Sequence, residues 1–72
     1  MNILNVAKIQ LNGDPYEINN STNLDELLNK LKLQKNKIAI EVNGEIIEKS
    51  KYPNLILRRD DKVEIVHFIG GG

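Results

Sequence analysis

Two Asn-Gly dipeptides divide this chain, and each closes a stretch of apolar alternation. Asn43-Gly44 is the stronger signal. Ile38, Ile40 and Val42 alternate with Ala39 and Glu41 before it, and Glu45-Ile46-Ile47 follows. Both residues of an Asn-Gly pair tolerate the positive φ of a type I′ turn, whose twist matches that of the two strands it joins. The reading is a β-hairpin. Ala7, Ile9 and Leu11 alternate in the same way ahead of Asn12-Gly13-Asp14-Pro15, and Tyr16-Glu17-Ile18 resumes the period. That is a second hairpin, near the start of the chain.

Between the hairpins the period changes. Leu24, Leu27, Leu28 and Leu31 fall at i, i+3, i+4 and i+7, one apolar stripe on a helix. Thr22 is the expected N-cap, Asp25 and Glu26 suit the first turn, and Lys30 and Lys32 suit the last. Glu48 to Asn54 is polar and closed by Pro53, so it reads as an irregular connection, with Leu55 and Leu57 adding apolar contacts beneath it. Arg58-Arg59-Asp60-Asp61 reads as a turn. Lys62 to Phe68 reads as a final strand, with Val63, Ile65 and His67 on one face and Glu64, Val66 and Phe68 on the other. One amphipathic helix against one sheet is an efficient two-layer solution for a short chain.

Seventy-two residues allow one hydrophobic core. We expect a domain over residues 1–69 and a flexible tail over 70–72. Ten basic residues balance ten acidic ones, so no single-sign field draws in nucleic acid. There is no cysteine, which excludes a disulfide framework and a Cys-based nucleophile or metal site. No stretch has the length of a membrane span, and the first residues lack the pattern of a signal peptide. A cytoplasmic protein is expected.

The candidates for chemistry are few. His67 is the only histidine and has no companion of metal-ligand spacing. Asp60-Asp61 reads as a solvated bend, and Glu45 and Glu48 as surface charges. No glycine-rich loop precedes a helix, so there is no phosphate cradle. The remaining handle is Gly70-Gly71-Gly72, directly after the apolar run that ends Phe68-Ile69. Without Cβ atoms this segment is narrow enough to enter an active site that would exclude branched residues. The chain reads as a participant in another enzyme's chemistry, and not as an enzyme.

Ile9-Gln10-Leu11-Asn12-Gly13, Leu24-Asp25-Glu26-Leu27-Leu28, Ile40-Glu41-Val42-Asn43-Gly44-Glu45-Ile46 and Asp61-Lys62-Val63-Glu64-Ile65-Val66 resemble the signature segments of the ThiS family. The approach from Val66-His67 through Ile69 to the glycines resembles that family's tail. Asp60 stands where the family commonly has the glycine of a Gly-Asp turn. The resemblance implies an α+β β-grasp (ubiquitin-like) fold, a mixed sheet of four to five strands packed on one main helix. It also implies a sulfur carrier of thiazole formation in thiamine biosynthesis. On that basis a ThiF-like adenylyltransferase uses ATP to adenylate the Gly72 carboxylate. Sulfur from a cysteine desulfurase or similar donor then makes a covalent thiocarboxylate there, and a ThiG-like thiazole synthase receives the sulfur. Gly70 and Gly71 would thread the tail, and Val66, Phe68 and Ile69 would dock the partner. No bound cofactor, metal, nucleic acid or membrane is implied. A MoaD-like subunit of molybdopterin synthase, a ubiquitin-like protein modifier and an inert interaction module remain the alternatives.

Overall fold

The computed structural model of the chain describes residues 5–68. Strand β1 (Val6–Leu11) turns through Asn12-Gly13 into β2 (Asp14–Asn19), and helix α1 (Leu24–Leu31) follows. Strand β3 (Ile38–Val42) turns through Asn43-Gly44 into the short β4 (Glu45–Ile46), and β5 (Lys62–His67) ends the described chain. Asn12 and Gly13 have φ of 50° and 89°, and Asn43 and Gly44 have 53° and 87°. Both are the two-residue, positive-φ turns expected of Asn-Gly. Pro15 lies within β2, where it is opposite Gln10. It is tolerated because β2 is at the edge of the sheet.

The strands lie in the order β2-β1-β5-β3-β4. The hairpins are antiparallel, β5 runs antiparallel to β3, and β1 runs parallel to β5. Among the described residues the sheet is mixed, has five strands and grips one α-helix, which is the β-grasp arrangement. The core lies between sheet and helix. Ile9, Ile18, Ile40, Val63 and Ile65 from the strands meet Leu24, Leu27 and Leu28. Leu31, the last residue of the stripe, is half-buried at its edge.

Three local expectations are corrected. The helix is capped by Asn23, not Thr22. Asn23 Oδ1 accepts the Glu26 N–H at 2.8 Å, and the Glu26 carboxylate accepts the Asn23 N–H at 2.9 Å. This reciprocal capping box satisfies two backbone donors at once. The Thr22 hydroxyl instead donates to the Asn19 carbonyl at 2.6 Å. Lys32 is not in the last turn. It takes the left-handed conformation (φ 60°, ψ 42°) that stops the helix. The segment Glu48 to Asn54 is more ordered than its polarity suggests. A 3₁₀ turn over Lys49–Lys51 delivers Tyr52 into the core, where it is fully buried.

Tyr52 is the largest side chain so enclosed. Its hydroxyl makes no hydrogen bond of standard geometry. Burial pushes its ionisation above the ordinary phenol range, against the opposing influence of the Ile40 backbone and the Lys35 ammonium. An unfolded chain releases this proton near pH 10, about the value of a free tyrosine, whereas the folded chain holds it to higher pH. Stability from this group is therefore complete below about pH 10 and declines as pH rises beyond it. Chemical denaturation from pH 8 to 11 should show the alkaline decline to be shallower in Tyr52→Phe than in the parent chain. Leu27→Ala, which opens a cavity at a fully buried position, should cost roughly 2–5 kcal/mol in the same measurement.

Candidate functional site

The residues expected to carry function lie on β5 or follow it in the chain, so its anchoring decides what they can do. β5 is the central strand, paired on both sides. Toward β3 the register runs unbroken from Val42↔Val63 to Ile38↔His67. Toward β1 the parallel ladder is short, covering Gln10↔Lys62 and Leu11↔Val63. Side chains of the two turns extend that grip. Asn12 Oδ1 accepts the Ile65 N–H at 2.8 Å, and Asn12 Nδ2 lies 3.4 Å from the Ile65 carbonyl. The amide thus stands in for the next residue of β1. Asn43 Oδ1 accepts the Lys62 N–H at 2.9 Å, while the Asn43 N–H donates to the Lys62 carbonyl at 2.7 Å.

Asp61 ties the entry to β5. One carboxylate oxygen accepts from Asn43 Nδ2 at 3.0 Å and the other from the Arg58 N–H at 2.8 Å. Asp61 is therefore part of a hydrogen-bonded turn, not a solvated bend. Asp60 before it has φ 71°, the left-handed backbone that a glycine would adopt more readily. At the other end, the Phe68 N–H donates to the Lys37 carbonyl at 3.0 Å. The strand is held as far as Phe68, where the described residues stop.

Of the expected docking residues, Val66 lies on the sheet face that the helix does not cover, and Phe68 follows just beyond the end of the strand, also exposed. They are 56% and 58% exposed, far above the buried Val63 and Ile65 on the opposite face of the same strand. The Lys49 ammonium sits 5.4 Å from the centre of the Phe68 ring, a cation–π distance. Ala39 stands opposite Val66, Glu41 opposite Glu64 and Ile46 opposite Glu41. Ile69, Gly70, Gly71 and Gly72 lie outside the described residues. His67 is exposed and Glu45 lies on the surface. Glu48 is also exposed, 3.9 Å from Lys51. Among the described residues no group of three His, Cys, Asp or Glu side chains is arranged to hold a metal ion. No described helix is long and apolar enough to cross a membrane. Asn12, Asn43 and Lys49 were not foreseen as contributors. The choice of Asn over Asp or Gly at the first position of both turns was the available signal.

A two-layer β-grasp domain whose central strand is its last described element is the class that this architecture defines. The ThiS family profile matches residues 9–72. The "Sulfur carrier protein ThiS" of Bacillus subtilis is 38% identical over 65 residues, covering 89% of this chain and 98% of that one. A crystal structure described as thiamine biosynthesis protein (ThiS) from Geobacter metallireducens superposes with a TM-score of 0.79 at 34% identity, covering 90% of this chain and 99% of that one. A "Thiazole synthase" of Magnetococcus marinus is 42% identical over 65 residues, which is 90% of this chain but 20% of the relative. This chain thus spans a fifth of that protein's length. The chain belongs to the ThiS family.

Asn12→Gly keeps the positive-φ turn and removes both contacts to Ile65. Urea unfolding should show a loss of about 1–2 kcal/mol, with faster hydrogen exchange at the Ile65 amide. Unchanged stability and exchange would mean that the backbone ladder alone holds the strand.

Proposed function

We propose that this chain is a sulfur carrier protein of thiazole formation in thiamine biosynthesis, and that its reacting group is the Gly72 carboxylate. The observation that carries the reading is the family match over residues 9–72, together with the near full-length similarity to a sulfur carrier protein. The fold supports it. A strand fixed on both edges supplies a rigid base for a segment that must enter other proteins.

The chemistry follows from the carboxylate itself. Resonance and negative charge make it a poor electrophile. A ThiF-like adenylyltransferase would transfer AMP from ATP to it, releasing pyrophosphate and creating a mixed anhydride with a good leaving group. The terminal sulfur of a persulfide, supplied by a cysteine desulfurase or similar donor, would attack the acyl carbon and expel AMP. A thiol would then cleave the resulting S–S bond, leaving the thiocarboxylate on Gly72 and a disulfide on the donor side. The thiocarboxylate sulfur is softer and more nucleophilic than the oxygen it replaces. It would pass to a ThiG-like thiazole synthase. The similarity to a segment of a much longer thiazole synthase supports that partnership, since a segment resembling this chain there forms part of the synthase itself. This chain's part is presentation of the tail, and bond making belongs to the partners.

Incubation with ATP, the adenylyltransferase and a sulfur donor should exchange one oxygen for sulfur, read by intact mass. No exchange under conditions that load a known carrier would refute the proposal. Gly71→Trp should leave the unfolding transition unchanged and abolish adenylation, because an indole cannot follow the path of a glycine. Normal thiocarboxylate yield from that variant would contradict a narrow channel.

A further inference from the structure

A second exposed apolar region lies at the end of the fold remote from the tail. Among the described residues five large apolar side chains are exposed, and two of them, Val6 at 38% and Ile56 at 46%, line an open cleft of about 710 Å³. The start of β1 contributes Val6 and Ala7 to it, and the segment before β5 contributes Ile56, Leu57, Arg58 and Arg59. Ala7 and Leu57 are buried and give the cleft an apolar base. The segment is held on both sides. The Leu57 N–H donates to the Thr22 carbonyl at 2.8 Å, and the Asp60 N–H donates to the Lys8 carbonyl at 2.9 Å. The cleft is thus preformed, and its charge is of one sign. Arg58 and Arg59 are the only arginines in the chain, and the other eight basic residues are lysines. Both are exposed, and no acidic residue lines the cleft, Asp60 and Asp61 included. Among the described residues the ion pairs are Lys35–Asp25 and Lys51–Glu48, so neither guanidinium meets a carboxylate within the fold. A guanidinium grips a carboxylate through two parallel hydrogen bonds, where an ammonium offers only a point charge.

We propose that this cleft binds an acidic segment of a partner protein, whose carboxylates meet Arg58 and Arg59 while its aliphatic side chains lie against Val6 and Ile56. The combination of an apolar base with two uncompensated guanidinium groups selects such a segment. A nucleotide fits less well, because no lining residue is aromatic and none offers a ring for a base to stack on. The place of the cleft gives the contact its use. β1 and β5 are parallel, with Gln10 level with Lys62. Val6 lies four residues before Gln10, and Phe68 lies six residues beyond Lys62. At the rise of a strand, the cleft and Phe68 are separated by about 30 Å. A partner held at Arg58 and Arg59 therefore leaves the other end of β5 uncovered. The chain can be retained by one protein while its far end is engaged by another. This inference goes beyond the carrier reading and does not depend on it.

The test is a titration of the full, nitrogen-15-labelled chain, followed by NMR, with an acetylated and amidated Glu-Leu-Glu-Leu-Glu peptide and with its glutamine counterpart. The acidic peptide should shift the backbone amides of Val6, Ala7 and the Ile56–Arg59 segment and leave that of Phe68 unmoved. Arg58→Gln and Arg59→Gln should each weaken binding about two- to fivefold, and the double variant about tenfold. Raised salt should weaken the wild-type complex and have little effect on what binding the double variant retains. The thermal midpoint of each free variant should match the wild type, since both side chains are exposed. Equal binding of the glutamine peptide, equal binding by the double variant, or shifts centred on Phe68 would each overturn the proposal. Displacement of the peptide by equimolar inorganic pyrophosphate would replace it with a small-anion site. Movement of the same amides on dilution of the free chain would replace it with a contact between two copies. The carrier reading fails separately, through absence of sulfur loading, whatever the peptide does.

Discussion

Insertion of β5 between β1 and β3 is the constraint on which the rest of the structure depends. Each hairpin is closed by its own Asn-Gly turn, but the two are not paired with each other and are joined in the sheet through β5 between them. β5 then satisfies backbone groups on both sides and delivers Val63 and Ile65 to the core. Its parallel contact with β1 is short, and a short parallel ladder is a weak one. The Asn12 amide makes up part of the deficit by pairing with Ile65, beyond the point where β1 has already turned away. The Asn43 amide does the same at the entry to the strand. Each asparagine therefore does two things that glycine or aspartate would do only in part. It accepts a left-handed backbone, and it offers both a donor and an acceptor to the neighbouring strand.

This anchoring divides the molecule by face. The covered face carries the stability: the leucine stripe, the inward isoleucines and Tyr52 are buried there. The open face contributes little to the core and carries Val66, Phe68, Ile46 and the opposed glutamates. One strand serves both, because successive side chains of a strand point to opposite sides. Val63 and Ile65 hold the fold while Glu64 and Val66, between and beside them, remain available to a partner. In the proposed carrier role this separation lets the exposed face change without disturbing the core.

Tyr52 shows how a short chain fills its interior. The connection that carries it is too polar to suggest a core element, yet its 3₁₀ turn places a ring where strand and helix side chains alone would leave a void. Lys35 runs across that ring, 5.6 Å from its centre, and pairs with Asp25 on the helix at 2.9 Å. The long segment between β4 and β5 is thus tied down at its middle, and the 3₁₀ turns Lys35–Lys37 and Lys49–Lys51 both reach Phe68, one through the Lys37 carbonyl and the other through the Lys49 ammonium. Packing density is at a premium in a domain of this size, where each enclosed side chain is a large fraction of the whole core.

What the amino-acid order determined on its own is local. Positive-φ turns at Asn12-Gly13 and Asn43-Gly44, the helix beneath Leu24, Leu27 and Leu28, and the two faces of β5 all follow from periods and backbone preferences that span a few residues. Exposure of Val66 and Phe68 followed from the same alternation. Tertiary structure decided the remainder. Whether Thr22 or Asn23 caps the helix depended on where the chain enters it, and Asn23 is also bridged to Ile56 and bonded to Pro53, more than thirty residues distant in one case and thirty in the other. The burial of Tyr52, the reach of Asn12 to Ile65 and the confrontation of Glu41 with Glu64 join residues far apart in the chain. No pattern within one segment encodes such a pairing, because register between distant strands is set by the common core that they enclose.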